Sequence, residues 1–224
     1  MHALLKLYAE DEGAFQIRAI PVGSSAKRIV DISLAIGAVV LLCPVLISCL
    51  VVVTIATKGS PIFSHQRIGF RGKRFGCLKF RTMVPNADEQ LCDAFARNPE
   101  AKREWEENQK LRDDPRVTAL GAVLRRYSLD ELPQLLNVLK GDMSMVGPRP
   151  VTESEIARYA NAANAYLACR PGITGLWQVN GRSSTSFDKR VEYDLMYAER
   201  WSLMGDVKIL LLTIPAVLDS RSAC

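Results

Sequence analysis

Apolar and polar positions are distributed unevenly along this chain. From Ile32 to Thr57 runs ISLAIGAVVLLCPVLISCLVVVTIAT, without one formally charged residue. About 20 consecutive apolar residues suffice to cross the hydrocarbon core of a bilayer, so this segment belongs in a membrane. Pro44 interrupts it. Its ring has no N–H to give the carbonyl of Val40 and crowds that carbonyl, which costs a helix interior about 3 kcal/mol and bends it. Two arms remain, Ile32 to Cys43 and Val45 to Thr57. At 1.5 Å per residue each is roughly 18 to 20 Å long, short of a ~30 Å core.

The flanks are basic on both sides. Arg18, Lys27 and Arg28 precede the run; Lys58, Arg67, Arg71, Lys73, Arg74, Lys79 and Arg81 follow it, with no acid until Asp88. Lys and Arg beside a membrane segment mark its cytoplasmic side, and here both ends carry that mark. Two readings stay open on these residues: a re-entrant helix-break-helix that dips into one leaflet and returns, and a single kinked span.

Downstream, the pattern predicts short strands over Ile62-Phe63 and Phe75 to Phe80, separated by Gly69, Gly72 and Gly76. Basic and apolar residues alternate from Cys77 to Met83, which on a strand places Lys79 and Arg81 on one face, either to bind phosphate or as a solvated edge. Asn86 to Arg112 reads as helical, with Asn98 capping a helix that begins at Pro99. Asp113-Asp114-Pro115 reads as a stop turn rather than a cation site. A further helix carries Leu120, Val123, Leu124 and Tyr127. Ser128 then opens another, with Leu132, Leu135, Leu136 and Leu139 on one stripe. Leu176 to Val179 reads as a short strand, and Leu203 to Leu218 as an amphipathic helix. The expected fold class is α+β and helix-dominated, a monotopic membrane protein with a cytosolic domain of short strands. Its expected divisions are a variable lead-in (1–26), a re-entrant helix (27–58) and a catalytic domain (59–224) with a charged helical insertion at 86–113.

Composition narrows the chemistry. The 224 residues carry a net charge of +5, and 48% are hydrophobic, enough for one domain with a core beside the membrane run. The excess charge is concentrated after that run, which fits anionic lipid or phosphate and argues against a nucleic-acid partner. Six cysteines form no C-x-x-C pair and two lie inside the apolar run, so neither a zinc site nor a disulfide framework is expected. With only His2 and His65, carboxylates and basic side chains must do the work. Residues 1–26 contain Glu10, Asp11 and Glu12, and no cleavable signal peptide is expected there.

Asp130 and Glu131 stand out. At the start of a helix they are either plain capping acids, in a Ser128/Glu131 capping box or with Asp130 as the cap ahead of Pro133, or a reactive pair at a positive helix end, where an aspartate stays ionised and phosphate is attracted. Arg125 and Arg126 lie just upstream. Arg149 is fixed between Pro148 and Pro150, and Arg170 and Arg182 sit on Gly-rich turns. Together they describe a face equipped for phosphates and a divalent metal, held against a membrane.

At these residues the chain resembles the bacterial sugar transferases, the monotopic phosphoglycosyl transferases. The likeness runs through Lys27-Arg28, the broken apolar helix, Gly59 to Phe63, Lys79 to Met83, Ser128 to Gln134, Lys140 to Ser144, Val146 to Pro150, Arg170 to Gly175 and Asn180 to Arg182. The insertion at Asp88 to Arg112 resembles the branch that initiates exopolysaccharide repeat units, commonly with galactose 1-phosphate.

The resemblance implies that Asp130 is the nucleophile and that Glu131 is its partner, both tied to Mg²⁺. It implies that Lys79, Arg81, Arg125, Arg126, Gln134, Asp142, Arg149, Arg170 and Arg182 serve phosphate and substrate. UDP-sugar would be the donor and undecaprenyl phosphate the acceptor, at the cytoplasmic face of the bacterial inner membrane. A second copy of the chain stays open as a partner, and a catalytically silent nucleotide- or lipid-binding module stays open as an alternative. The family's break is commonly Ser-Pro; here Cys43-Pro44 stands in its place, and a thiol is the weaker hydrogen-bond donor.

Overall fold

The computed structural model describes residues 22–57, 59–108, 111, 113–180 and 185–218. In chain order the elements are α1 (Ser25–Leu41), α2 (Cys43–Thr57), β1 (Ile62–Ile68), β2 (Arg74–Phe80), α3 (Ala87–Arg97), α4 (Pro99–Asn108), α5 (Ala119–Arg126), α6 (Gln134–Lys140), β3 (Ser144–Val146), α7 (Glu153–Ile156), α8 (Ala163–Leu167), β4 (Gly172–Thr174), α9 (Leu176–Asn180), α10 (Phe187–Arg200) and α11 (Leu203–Leu218). Short 3-10 turns at Phe70–Gly72, Leu129–Glu131 and Ala157–Ala162 punctuate them. The fold is helix-dominated α+β, with strands only in two small sheets among the described residues.

The apolar run is broken where proline requires it. Helices α1 and α2 meet at Leu42 with a 66° bend. Pro44 is the second residue of α2, so its missing N–H falls among first-turn donors that have no helical partner in any case. The Leu46 N–H donates to Leu42 and the Ser48 hydroxyl to the Pro44 carbonyl, each at 2.8 Å. The exposed Cys43 thiol takes no part in these bonds. With 17 and 15 residues the arms are about 25 and 22 Å long. Among the described residues no single helix is long and apolar enough to cross a membrane; the bent pair passes only together.

Both outer ends of this pair are anchored in one body. Lys27 is buried, its Nζ 2.7 Å from Asp206 on α11 and 3.0 Å from the Val146 carbonyl on β3. One turn on, Asp31 accepts from the Ser144 hydroxyl and the Met145 N–H. Arg28 donates to the Val138 and Leu139 carbonyls at the C-terminus of α6, where a cation complements the helix dipole. Lys27 and Arg28 thus tie elements together instead of merely flanking the apolar run. At the other end, Cys49 and Val53 of α2 pack with Phe80 and Leu124.

Between these anchors lies the antiparallel hairpin β1–β2, with Ile62 opposite Phe80 and Ile68 opposite Arg74. One edge of β2 has no strand neighbour. Asn137 of α6 takes that place: its Oδ1 accepts from the Leu78 N–H at 3.0 Å and its Nδ2 donates to the Gly76 carbonyl at 2.8 Å. Apolar packing of Ala35, Phe75, Cys77, Leu135, Val138 and Met143 holds α1, β2 and α6 together. Strands β3 and β4 pair in parallel. Glycine is obligatory where they meet the loops, because a Cβ on Gly147 would fall on the Arg170 carbonyl and one on Gly172 would fall on the Gly147 nitrogen.

Several expectations need correction. Ser128 does not cap a helix; it adopts the left-handed conformation (φ 55°), without a capping bond, and opens a 3-10 turn. Helix α6 begins only at Gln134, after Pro133, so Asp130 and Glu131 precede its first turn. The leucine stripe also breaks up: Leu135 is buried, Leu139 borders the same cluster, Leu132 joins a different one, and Leu136 is exposed. Leu176 to Asn180 is helix rather than strand. By contrast, the short strands at Ile62-Phe63 and Phe75 to Phe80, the Asn98 cap on the Glu100 N–H and the helix from Leu203 to Leu218 stand as read, and the two strands pair as a hairpin. Asp114 pairs with Arg116, at 2.6 Å, as a stop turn requires no cation.

Candidate active site

Strand β2 and the Leu129–Glu131 turn bring three charges together. Lys79 Nζ lies 2.6 Å from Glu131 Oε1 and 3.9 Å from Asp130 Oδ2. Asp130 is buried at 7% exposure, whereas the Glu131 side chain keeps 32%. Burial pushes the Asp130 carboxyl above its ordinary range, strengthened by the Glu131 charge; Lys79 and Arg125 pull it back. The aspartate is therefore harder to ionise than its place near a helix start suggests. For Glu131, burial acts in the same direction but is outweighed by Lys79 and Arg149, with Arg67 adding to them, so its carboxyl is held below the usual range.

Two arginines reach this pair from fixed supports. Arg125 ends α5, and its Nε donates to Thr82 Oγ1 at 3.0 Å. Thr118 caps α5 at its start by accepting the Gly121 N–H, and only a glycine at 121 lets the helix lie against the Thr82 carbonyl. Arg149 stands on the Pro148-Arg149-Pro150 loop, which Gly147 and Gly172 hold through Gly147 N–H to Thr174 and Gly172 N–H to Pro148. Its guanidinium lies 5.7 Å from the Trp177 ring, with Arg190 of α10 at 4.8 Å from the same ring.

Sequence reasoning missed three members of this arrangement. Arg67 of β1 donates to the Pro150 carbonyl and to Glu155, at 3.2 and 3.0 Å, and so steadies the loop that carries Arg149. Glu155 closes a capping box with Thr152 at the start of α7. Arg190 faces Trp177 and the buried Asp194. Only the capping box Thr152-x-x-Glu155 carried a local signal; Arg67 depends on a contact across 83 residues between β1 and the loop, and Arg190 on the packing that brings it over the Trp177 ring.

The other expected site residues divide. Arg81 follows the end of β2, and its Nε donates to the Ser60 carbonyl. Arg126 is exposed near the Tyr127 ring. Gln134 is buried at the head of α6. Asp142 and Arg170 line a separate cavity with Phe70, Lys73, Phe75, Lys140 and Gly141. On β2, Phe75 and Lys79 are four residues apart, roughly 13 Å. Arg182 lies outside the described residues.

No group of three His, Cys, Asp or Glu side chains among the described residues forms a metal cage. Asp130 and Glu131 nevertheless suit Mg²⁺, which is commonly held by one or two carboxylates while substrate phosphates and water complete its shell.

A buried aspartate and its glutamate neighbour, bridged by a lysine and approached by arginines on a body attached to a bent apolar helix pair, define a site for phosphate chemistry. The profile of the family described as bacterial sugar transferase matches residues 22–220, and the chain belongs to that family. It is 49% identical over 203 residues to the exopolysaccharide production protein ExoY of Sinorhizobium fredii, covering 91% of this chain and 90% of that protein. It is 47% identical over 197 residues to the UDP-galactose-lipid carrier transferase of Erwinia amylovora, covering 88% of this chain and 41% of that longer protein. The same identity and coverage hold for the undecaprenyl-phosphate galactose phosphotransferase of Salmonella typhimurium.

Proposed function

We propose that this transferase moves a hexose 1-phosphate, galactose 1-phosphate first among the candidates, from a UDP-sugar to undecaprenyl phosphate and so initiates exopolysaccharide repeat units. The observation that carries the reading is the buried Asp130 bridged through Lys79 to Glu131. The names of the relatives from Erwinia and Salmonella support the lipid carrier and galactose.

In this reading an Asp130 carboxylate oxygen attacks the phosphorus that bears the sugar. A P–O bond forms to Asp130 as the bond to the bridging oxygen breaks, and that oxygen leaves with its electron pair as UMP. An oxygen of undecaprenyl phosphate then attacks the same phosphorus, and the Asp130 carboxylate departs. Lys79 and Arg125 favour the ionised form of Asp130 against its burial in the first step and receive its charge again in the second. Arg149, held in advance by its two prolines and by Arg67, counters phosphate oxygens without reorganising. Mg²⁺, held by Asp130 and Glu131 together with substrate phosphates, would supply charge neutralisation to the diphosphate.

The apolar pair is read as re-entrant. The start of α1 and the end of α2 both pack on the same domain, through Lys27, Arg28 and Asp31 on one side and Cys49 and Val53 on the other. A chain whose two ends return to one body enters and leaves the bilayer on one face. Exposed Ile36, Val40, Leu41, Ile47 and Ile55 then meet acyl chains, and the domain lies on the cytoplasmic face of the inner membrane.

The test is UMP release from UDP-galactose and UDP-glucose with undecaprenyl phosphate and Mg²⁺, comparing wild type with Asp130→Asn in matched membranes. Release by wild type alone supports the carboxylate mechanism. Undiminished release by the variant rejects it.

A further inference from the structure

A second basic site lies away from the acidic pair. The cavity lined by Phe70, Lys73, Phe75, Lys140, Gly141, Asp142 and Arg170 has a volume of about 210 Å³. Its walls come from three places: the tip of the β1–β2 hairpin, the loop that ends α6, and the turn before β4. The guanidiniums of Arg71 and Arg170 each lie 5.0 Å from the Phe70 ring centroid. Four cations thus surround the opening, Arg71, Lys73, Lys140 and Arg170, against one carboxylate, Asp142, which lies 3.9 Å from Lys73.

Most of this charge is uncommitted. Lys73 is 79% exposed. Among the described residues, Arg71 and Lys140 make no hydrogen bond or ion pair, and Arg170 uses only its Nε, on the Gly141 carbonyl. The carbonyls at the C-terminus of α6 would repel an anion, but Arg28 and Arg170 already cover those of Val138, Leu139 and Gly141. Positive potential remains: after burial, the neighbouring charges of Arg28 and Arg71 press the Arg170 guanidinium below its ordinary range.

Position selects the ligand. Arg28, in the first turn of α1, forms the back of this loop: a Cβ on Gly141 would lie 3.6 Å from its Nη2. The cavity therefore sits at the level where the apolar helix pair leaves the domain. We propose that this cavity binds the phosphate headgroup of an anionic glycerophospholipid, separately from the catalytic site. The proposal rests on the re-entrant placement of α1 and α2 and is independent of the chemistry at Asp130. Lipid phosphate at that depth supplies the negative charge, and Lys and Arg at a membrane surface favour it over zwitterionic lipid. Phosphatidylglycerol bound there holds the hairpin, and with it Lys79, at a fixed height above the bilayer.

The test uses the full chain released from detergent micelles for native mass spectrometry, with phosphatidylglycerol or phosphatidylcholine of equal chain length, and a Lys73→Gln/Lys140→Gln variant. Expected is one preferentially retained phosphatidylglycerol, with affinity about thirtyfold lower in the variant. Equal retention of the two lipids, or retention unchanged in the variant, overturns the proposal. Displacement of the lipid by equimolar inorganic phosphate overturns the lipid as the source and leaves a free-phosphate site. Membrane fractionation of the same proteins separates this failure from failure of the membrane reading, since the variant is expected to remain membrane-bound.

Discussion

Lys79 Nζ stands 2.6 Å from Glu131 Oε1 and 3.9 Å from Asp130 Oδ2, so one ammonium holds two neighbouring carboxylates of opposite tendency. Burial raises Asp130, and the basic side chains lower Glu131. A pair whose members are pushed apart divides its labour, with Glu131 remaining charged while Asp130 titrates at higher pH.

Lys79→Met removes the ammonium from this pair. Loss of one preorganised charge at a phosphoryl-transfer site costs about 100-fold or more in kcat. Lys79 lowers the Asp130 pKa, so its removal raises that pKa further, and the acid limb of the pH–rate profile moves to higher pH. UMP release measured from acid to mildly alkaline pH checks both effects. A uniform loss with an unmoved acid limb would show that Lys79 does not act through Asp130.

Asn137 fixes where Lys79 can be. Its amide replaces a missing strand neighbour on β2, meeting the Gly76 carbonyl and the Leu78 N–H. Asn137→Leu keeps the number and branching of side-chain heavy atoms and removes both bonds, leaving two backbone groups in the interior at about 1–3 kcal/mol each. The variant is expected to lose about 2–5 kcal/mol of stability in denaturant titration. Stability within about 0.5 kcal/mol of wild type would place no weight on these bonds.

Much of this architecture is legible in the sequence, and the division follows contact range. The two short strands around Ile62 and Phe75 to Phe80, the Asn98 cap, the break at Pro44 and the α11 helix follow from the local pattern of residues, which announces them, whereas the pairing of Ile62 with Phe80 does not show in it. The segment from Leu176 to Asn180 offered apolar positions compatible with strand or helix. Packing decided it, since Leu176 and Val179 border the cluster around Val146 and Tyr197 while Trp177 is buried beside Arg149 and Arg190. Asp130 and Glu131 stand out in the sequence as a pair, but their local frame does not, because Ser128 adopts a left-handed conformation that a short apolar-polar pattern does not encode. Lys27 and Arg28 looked like topological signals; their partners, Asp206 and the carbonyls of α6, lie more than 100 residues away.

Lys27 and Asp206 form a buried ion pair at 2.7 Å that joins α1 to α11, with Tyr197 and Trp201 also donating to Asp206. Breaking such a pair from one side leaves an uncompensated charge, typically 3–5 kcal/mol. Lys27→Met is expected to destabilise by about that amount. Lys27→Met/Asp206→Leu should recover part of it, because the unpaired Asp206 charge is gone; Asp31, 3.7 Å from the Lys27 ammonium in the wild type and still held by Ser144 and Met145, limits the recovery. Denaturation of the single and double variants in one detergent gives the comparison; a double variant worse than the sum of the singles would contradict it.

The re-entrant reading predicts that a reporter fused before Met1 and one after Cys224 lie on the same side of the membrane. Cytoplasm-dependent fluorescence from both fusions, in chains that retain UMP release, is the expected result. A periplasmic N-terminal reporter would require a single span and contradict the anchoring of both helix ends in one domain.

Asp194 supplies a pH dependence separate from catalysis. It is 2% exposed, and burial pushes its carboxyl up to about 7 even though the Tyr159 hydroxyl donates to it at 2.8 Å and Arg149 and Arg190 favour its charge. In the unfolded chain it titrates near the ordinary 3.8. Between these values the folded state holds a proton that the unfolded state has released, so rising pH favours unfolding. The contribution is fully present below about pH 4 and is lost progressively as pH rises toward 7. Asp194→Asn removes the titration while keeping an acceptor for Tyr159. The variant's denaturation midpoint, measured at pH 4.5, 6 and 7.5, should fall less with pH than that of wild type. Parallel pH profiles would show that Asp194 is ionised in the folded protein throughout, held by Arg149 and Arg190 more strongly than its burial opposes.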